Sequence, residues 1–191
     1  MSQAFAPLES TPQLMDAATL RRTTLRLAHE IAERHSDLGD VVLVGVRTRG
    51  APLAERLAVE LAAMGRGAPQ VAGLDIRGFR DDRPRSAALG APALVSIDGE
   101  TPHVEGRTVI LVDDVIFTGR TLRAAIDALM HHGRAAAIEV LVLVDRGHRE
   151  LPLRATYVGK NVPTSSGDRV TVQLREVDGV DGAWLVPGAR R

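Results

Sequence analysis

The residues best equipped to do chemistry stand in one string, Val109-Ile-Leu-Val-Asp-Asp-Val-Ile-Phe-Thr-Gly-Arg-Thr121. Its end, Thr118-Gly119-Arg120-Thr121, supplies backbone N–H groups at the start of a helix, hydroxyls from two threonines, and a glycine that lets an anion approach the main chain. That is the chemistry of a phosphate cradle. Carboxylates beside a phosphate would repel it, so Asp113 and Asp114 make sense as grips on sugar hydroxyls or as help in holding a cation. An isolated Asp-Asp is an ordinary solvated turn and an isolated Thr-Gly ordinary capping. Here an apolar strand precedes the string and a helix follows it, and that context makes it a site. Neither Gly-x4-Gly-Lys-Ser/Thr nor Gly-x-Gly-x-x-Gly occurs, which argues against a P-loop triphosphatase and a dinucleotide dehydrogenase.

Such groups need a framework, and the hydrophobic pattern predicts one. From Ala18 to Arg34, Leu20, Thr24, Leu27, Ala28 and Ile31 share one helical face, with Arg22, Arg26, His29 and Glu33 opposite. Val41–Val46 reads as a buried strand, ending at Arg47-Thr48-Arg49-Gly50; Pro52 then suits the first turn of a helix running to about Met64. Further strands are expected at Val71–Ile76, weakly at Ala93–Ile97, at Thr108–Val112 and at Ile138–Val144, with a helix from the string to Gly133. Two shorter runs, Ala155–Val158 and Val170–Leu174, flank a loop, and Arg77–Pro92 reads as a long exposed loop. Strands alternating with helices imply an α/β fold with a central, mainly parallel sheet covered on both faces. Residues 1–17, with Pro7 and Pro12, are expected to form an N-terminal arm, and 18–191 one domain.

Composition narrows the classes. The 191 residues carry 24 basic and 24 acidic side chains, which excludes a uniformly basic nucleic-acid coat but leaves room for a basic patch. Lys160 is the only lysine, so positive charge is almost all arginine, the planar bidentate partner of phosphate. The five aromatics are too few for a surface that stacks successive single-stranded bases. With no cysteine, disulfides, thiolate metal sites and cysteine nucleophiles are absent, and a reducing cytoplasm is the expected location. No apolar run approaches the roughly 18 residues of a membrane span, so no membrane partner is expected.

The string resembles the phosphoribosyl-pyrophosphate (PRPP) motif of type I phosphoribosyltransferases. Leu43 to Gly50, Asp75-Ile76 with Arg80-Asp81-Asp82, Val144 to Pro152 and Gly159 to Ser165 extend the resemblance to the PyrR family. Those proteins are bacterial pyrimidine-operon attenuators with uracil phosphoribosyltransferase activity. The similarity covers roughly residues 18 to 178 and implies the phosphoribosyltransferase fold with a flexible hood loop. It further implies that Val115, Ile116, Phe117, Thr118, Gly119, Arg120 and Thr121 bind the 5′-phosphate and that Asp113 and Asp114 face the ribose hydroxyls. Thr48 and Arg49 would take pyrophosphate, with Mg2+ accompanying PRPP and held indirectly, or through the substrate, by Asp113 and Asp114. Uracil and UMP would be read near Arg146 and Val170. Arg80, in the hood, would join Asp113 and Asp114 at the reaction.

The resemblance also implies a second partner, a hairpin in pyrimidine-operon leader mRNA, bound by positions matching Arg26, His29, Arg34, Arg149, Arg154 and Lys160. Taken alone, an arginine stripe on a helix is an ordinary solvated face. One departure stands out: Leu25 replaces the threonine that commonly precedes this arginine in the family. The leading expectation is a bifunctional protein that makes UMP from uracil and PRPP and binds RNA under UMP control. The alternatives are a uracil phosphoribosyltransferase without RNA regulation and an RNA regulator that keeps the pocket as a sensor. The resemblance implies a homodimer or homotetramer.

Overall fold

The computed structural model describes residues 11–65, 67–79, 94–97 and 101–188. Its first helix, α1 (Ala17–Arg34), starts where the Asp16 carboxylate accepts from Thr19 N at 2.7 Å, satisfying an amide that the helix cannot. Leu20, Thr24, Leu27, Ala28 and Ile31 are buried, whereas Arg22, Arg26, His29 and Glu33 are exposed, as the spacing predicts. Next come β2 (Val41–Val46), α2 (Gly50–Ala63), β3 (Gln70–Leu74) and β4 (Leu94–Ser96). They are followed by β5 (Thr108–Ile116), α3 (Arg120–Met130), β6 (Ala137–Asp145) and β7 (Tyr157–Asn161).

These strands form a six-stranded sheet in the order β4-β3-β2-β5-β6-β7, parallel except for the antiparallel edge strand β4. Every residue of β2 is buried, and successive side chains go to opposite cores. Val41 and Leu43 join Ile110, Val112, Leu141 and Leu143 beneath α1 and α2; Val42, Val44 and Val46 join Val109, Leu111 and Val142 beneath α3. A continuous apolar run in the sequence therefore marks a strand covered on both faces.

A second, three-stranded antiparallel sheet, β1-β9-β8, packs against the α1 and α2 side. Its strands are β1 (Gln13–Met15), β8 (Arg169–Gln173) and β9 (Gly182–Val186), with the short helix α4 (Arg175–Asp178) between the last two. The sequence reading missed this sheet in part. Residues 13–15, expected to be loose arm, pair with β9, and Met15 is only 2 % exposed. Residues 80–93 lie outside the described residues, so most of the expected hood loop, Arg80 included, carries no structural account.

Candidate functional site

The chain leaves β2 through α2 to reach β3 on one side, and later sets β5 on the other side of β2. Loops leaving neighbouring strands at such a switch point diverge and open a crevice at their carboxyl ends. The β2 loop is tight because two glycines allow it. A Cβ on Gly45 would stand 2.4 Å from the Ala51 backbone, and one on Gly50 would stand 2.2 Å from the Val112 carbonyl oxygen. Thr48 is exposed there, and Arg49 caps the start of α2. Beside it a cleft of about 510 Å³ runs past Arg47, Thr48, Asp75, Arg77 and Glu176.

β5 is longer than expected. It continues through Asp113 and Asp114 to Ile116, because β6 extends equally far and supplies partners: Asp113 pairs with Val142, Val115 with Val144 and Ile116 with Asp145. The aspartates thus lie within a central strand, near its carboxyl end, rather than in a loop after it. Asp113 Oδ1 accepts from Asp114 N at 3.0 Å, and Asp114 Oδ1 from Val115 N at 2.9 Å. Burial pushes the Asp114 carboxyl above the ordinary carboxylate range, against the opposing pull of its bond with Asp113 and the charge of Arg49.

Beyond the strand, Gly119 adopts φ 91°, a left-handed conformation that glycine takes without cost, and turns the chain into α3. The N-cap residue Gly119 offers no capping side chain, and Thr118 Oγ1 accepts from Arg120 N only at 3.4 Å, so the first α3 amides are suited to an anion. Asp113, Val115, Phe117, Thr118, Gly119 and Thr121 line a cavity of about 290 Å³. Arginine 49, on the facing loop, is bound side-on by Asp178, its Nε at 3.0 Å and Nη2 at 2.7 Å from the carboxylate oxygens. The bond with Asp178 raises the Arg49 pKa against the cost of burial, and the nearby Asp114 charge adds to the rise.

The β5–α3 loop is braced from behind by the segment after β6. Thr118 O accepts from Glu150 N at 3.0 Å and Leu151 N at 3.2 Å, and Arg120 Nε donates to Glu150 Oε2 at 2.7 Å. Arg149 donates to Phe117 O at 2.7 Å, Asp145 Oδ2 at 2.5 Å and the Gly147 and Leu153 carbonyls. The buried guanidinium of Arg146 lies 3.7 Å above the Phe117 ring and donates to Thr164 Oγ1 at 3.3 Å. Arg146 therefore joins the β5–α3 loop to the 164–166 segment. Val170 is a buried residue of β8 and pairs with Leu185.

Two phosphate-compatible loops facing a pair of aspartates across a switch point narrow the family, and sequence comparison decides it. Residues 18–173 match the phosphoribosyl transferase domain family. The chain is 53% identical over 176 residues to the Bifunctional protein PyrR of Roseiflexus sp. (strain RS-1), covering 91% of this chain and 94% of that one. It is 54% identical over 179 residues to that of Pelotomaculum thermopropionicum, covering 93% and 96%. The chain belongs to the PyrR family of phosphoribosyltransferase-domain proteins. Its fold is also that of a Staphylococcus aureus hypoxanthine phosphoribosyltransferase, with TM-score 0.67 at 16% identity over 96% of this chain and 97% of that one.

The six positions that PyrR resemblance assigned to RNA are not equivalent. His29 and Arg154 are exposed. Arg26 is exposed but donates to the Val158 and Gly159 carbonyls at 3.1 and 2.7 Å and pairs with Glu30. Lys160 reaches the Leu14 carbonyl at 2.8 Å, and Arg34, in the last turn of α1, pairs with Glu139 at 2.8 Å. Arg149 is turned inward onto the β5–α3 loop. The sequence reading also missed Asp178 and Glu150, which fix Arg49 and Arg120. The signal available for the first was the acidic run Glu176, Asp178, Asp181 just after the last expected strand.

Proposed function

We propose that the crevice between β2 and β5 binds PRPP and uracil and transfers the phosphoribosyl group to the base, giving UMP and diphosphate. The observation that carries this is the geometry of the β5–α3 connection: two aspartates near the end of β5, then a helix N-terminus entered through a left-handed glycine that offers no capping side chain. The α3 amides and the Thr118 and Thr121 hydroxyls hold the 5′-phosphate, which the helix dipole favours. Asp113 and Asp114 accept from the ribose 2′- and 3′-hydroxyls, and Thr48 and Arg49 take the diphosphate through charge-assisted bonds. The Arg146 and Val170 region receives the base.

In the reaction the uracil N1–C1′ bond forms, the bond from C1′ to the diphosphate oxygen breaks, and the N1 proton is released. The sugar carries oxocarbenium character at that point, so the chain positions reactants and stabilises charge, and no nucleophilic side chain is needed. Among the described residues no group of three or more His, Cys, Asp or Glu could hold a metal. Asp113 and Asp114 fit a Mg2+ that takes one or two carboxylates and fills its shell from substrate and water. Bound to the diphosphate, that ion neutralises charge on the leaving group.

The second activity is binding of pyrimidine-operon leader RNA in response to UMP. Exposed Arg154, with Arg26 and Lys160, gives α1 and the β7 region cationic groups suited to phosphate, and exposed His29 adds a hydrogen-bonding ring. The enzyme-only reading is favoured by one observation: Arg149 spends its hydrogen bonds inside the fold, whereas Arg34, though exposed, gives its Nε to Glu139. No described helix is long and apolar enough to cross a membrane; on this reading the protein acts in the cytoplasm as a homodimer or homotetramer. Incubation with uracil, PRPP and Mg2+ is expected to yield UMP. Filter binding of leader RNA at moderate salt is expected to tighten when UMP is added; binding without any UMP effect would count against UMP control, and absence of RNA binding would leave the enzyme-only reading.

A further inference from the structure

Asp178 does more than neutralise Arg49. A guanidinium is planar and offers two edges, one formed by Nε and Nη2 and the other by the two terminal nitrogens. Asp178 takes the first edge completely, at 3.0 and 2.7 Å. The second edge is thereby turned away from Asp178, and Asp114 is the next carboxylate whose charge Arg49 feels.

Asp178 is itself firmly held. Its side chain is 13% exposed, Oδ2 also accepts from Leu174 N at 2.9 Å, and its own amide donates to Leu174 O at 2.6 Å. The segment that carries it is anchored a second time to α2, where Arg56 donates to Glu176 at 2.8 and 2.7 Å and to Asp181 at 2.6 Å. An arginine built this way reaches its ligand with little rotamer freedom left to lose.

We propose that Asp178 is a positioning residue for phosphoribosyl transfer: it holds the Nε edge of Arg49 so that the opposite edge meets the diphosphate of PRPP. This rests on the function proposed above. The Asp178 charge works in the other direction, since it draws on the cation that the diphosphate needs. Positioning outweighs that attraction because the carboxylate leaves a complete guanidinium edge unused and removes the ordering cost in advance.

Calorimetric titration tests this with PRPP and Mg2+ in the absence of uracil, using wild type, Asp178→Asn and Asp181→Asn, and with UMP as the reference ligand lacking a diphosphate. Asp178→Asn is expected to bind PRPP about tenfold more weakly and UMP within about twofold of wild type. Asp181→Asn loosens the same segment from Arg56 without touching Arg49, and should stay within about twofold for both ligands. If Asp178→Asn fails to fold by circular dichroism, Asp178→Glu, which keeps the charge but displaces the carboxylate, takes its place with the same expectation.

Unchanged or tighter PRPP binding overturns the proposal. So does an equal loss for UMP, or an equal loss in Asp181→Asn, either of which would mark general loosening. A wild type that binds PRPP but makes no UMP contradicts the proposed reaction while the Asp178 comparison still stands. A wild type that makes UMP beside an Asp178→Asn variant of unchanged PRPP affinity contradicts only the positioning role.

Discussion

At the scale of residues, the site depends on side chains that the fold leaves out as much as on those it supplies. Gly119 holds φ 91°, and the nearest atom to an added Cβ would be the Leu151 Cβ at 3.5 Å, an ordinary contact. The cost of Gly119→Ala is therefore conformational and not steric. It is expected to lower stability by about 1–2 kcal/mol, the penalty of a left-handed L-residue, and to weaken UMP binding as the α3 amides shift. Thermal denaturation with and without UMP reads both effects. Asp113, Asp114 and the Thr118 to Thr121 turn were legible in the sequence because their types and order are unusual in combination. Asp178 was not, since its meaning comes from Arg49, 129 positions away in the chain.

At the scale of elements, the β5–α3 loop and the 145–153 segment form one hydrogen-bonded unit. Arg149 is its hub, with four acceptors drawn from Asp145, Gly147, Phe117 and Leu153. Arg149→Ala leaves the Phe117 carbonyl and the Asp145 carboxylate short of a partner, at a cost of about 1–3 kcal/mol for a charged bond. The expected outcome is weaker UMP binding together with weaker leader-RNA binding; loss of RNA binding with UMP affinity intact would show that the hub does not brace the loop. The central strands were readable because burial on both faces leaves unbroken apolar runs. The end of β5 was placed too early because Asp113 and Asp114 interrupt the run while pairing with β6 continues. Strands β1 and β9 went unread for a different reason: β1 has three residues, too few for a period, and its pairing with β9 joins opposite ends of the chain.

At the scale of the molecule, charges segregate by pole. The groups proposed to act in catalysis gather at the carboxyl ends of β2 and β5, whereas Arg34, His35, Glu139 and Tyr157 form a cluster where α1 ends and β6 begins. Glu139 accepts from Tyr157 OH at 2.6 Å and from Arg34 Nε at 2.8 Å, and lies 3.0 Å from His35 Nε2. Burial pushes the Glu139 carboxyl upward, but the Tyr157 and His35 bonds and the Arg34 charge outweigh it and leave the pKa below its ordinary 4.5. Glu139 therefore contributes stability above that value and loses it as pH falls through the lower folded value. Glu139→Gln is expected to melt lower than wild type at pH 7, by about 1–3 kcal/mol, with the gap closing under acid. On the outer face, Arg154→Ala is expected to weaken leader-RNA binding whatever its sequence and to reduce the log–log salt slope by about one.

The most direct measurement is the initial rate of UMP formation from uracil, PRPP and Mg2+, for wild type beside Asp114→Asn with matched circular dichroism spectra. A strand-end carboxylate that holds the ribose through the transition state predicts activity in the wild type and a fall of at least about 100-fold in the variant. Near-normal turnover by Asp114→Asn, or none by the wild type, would contradict the account.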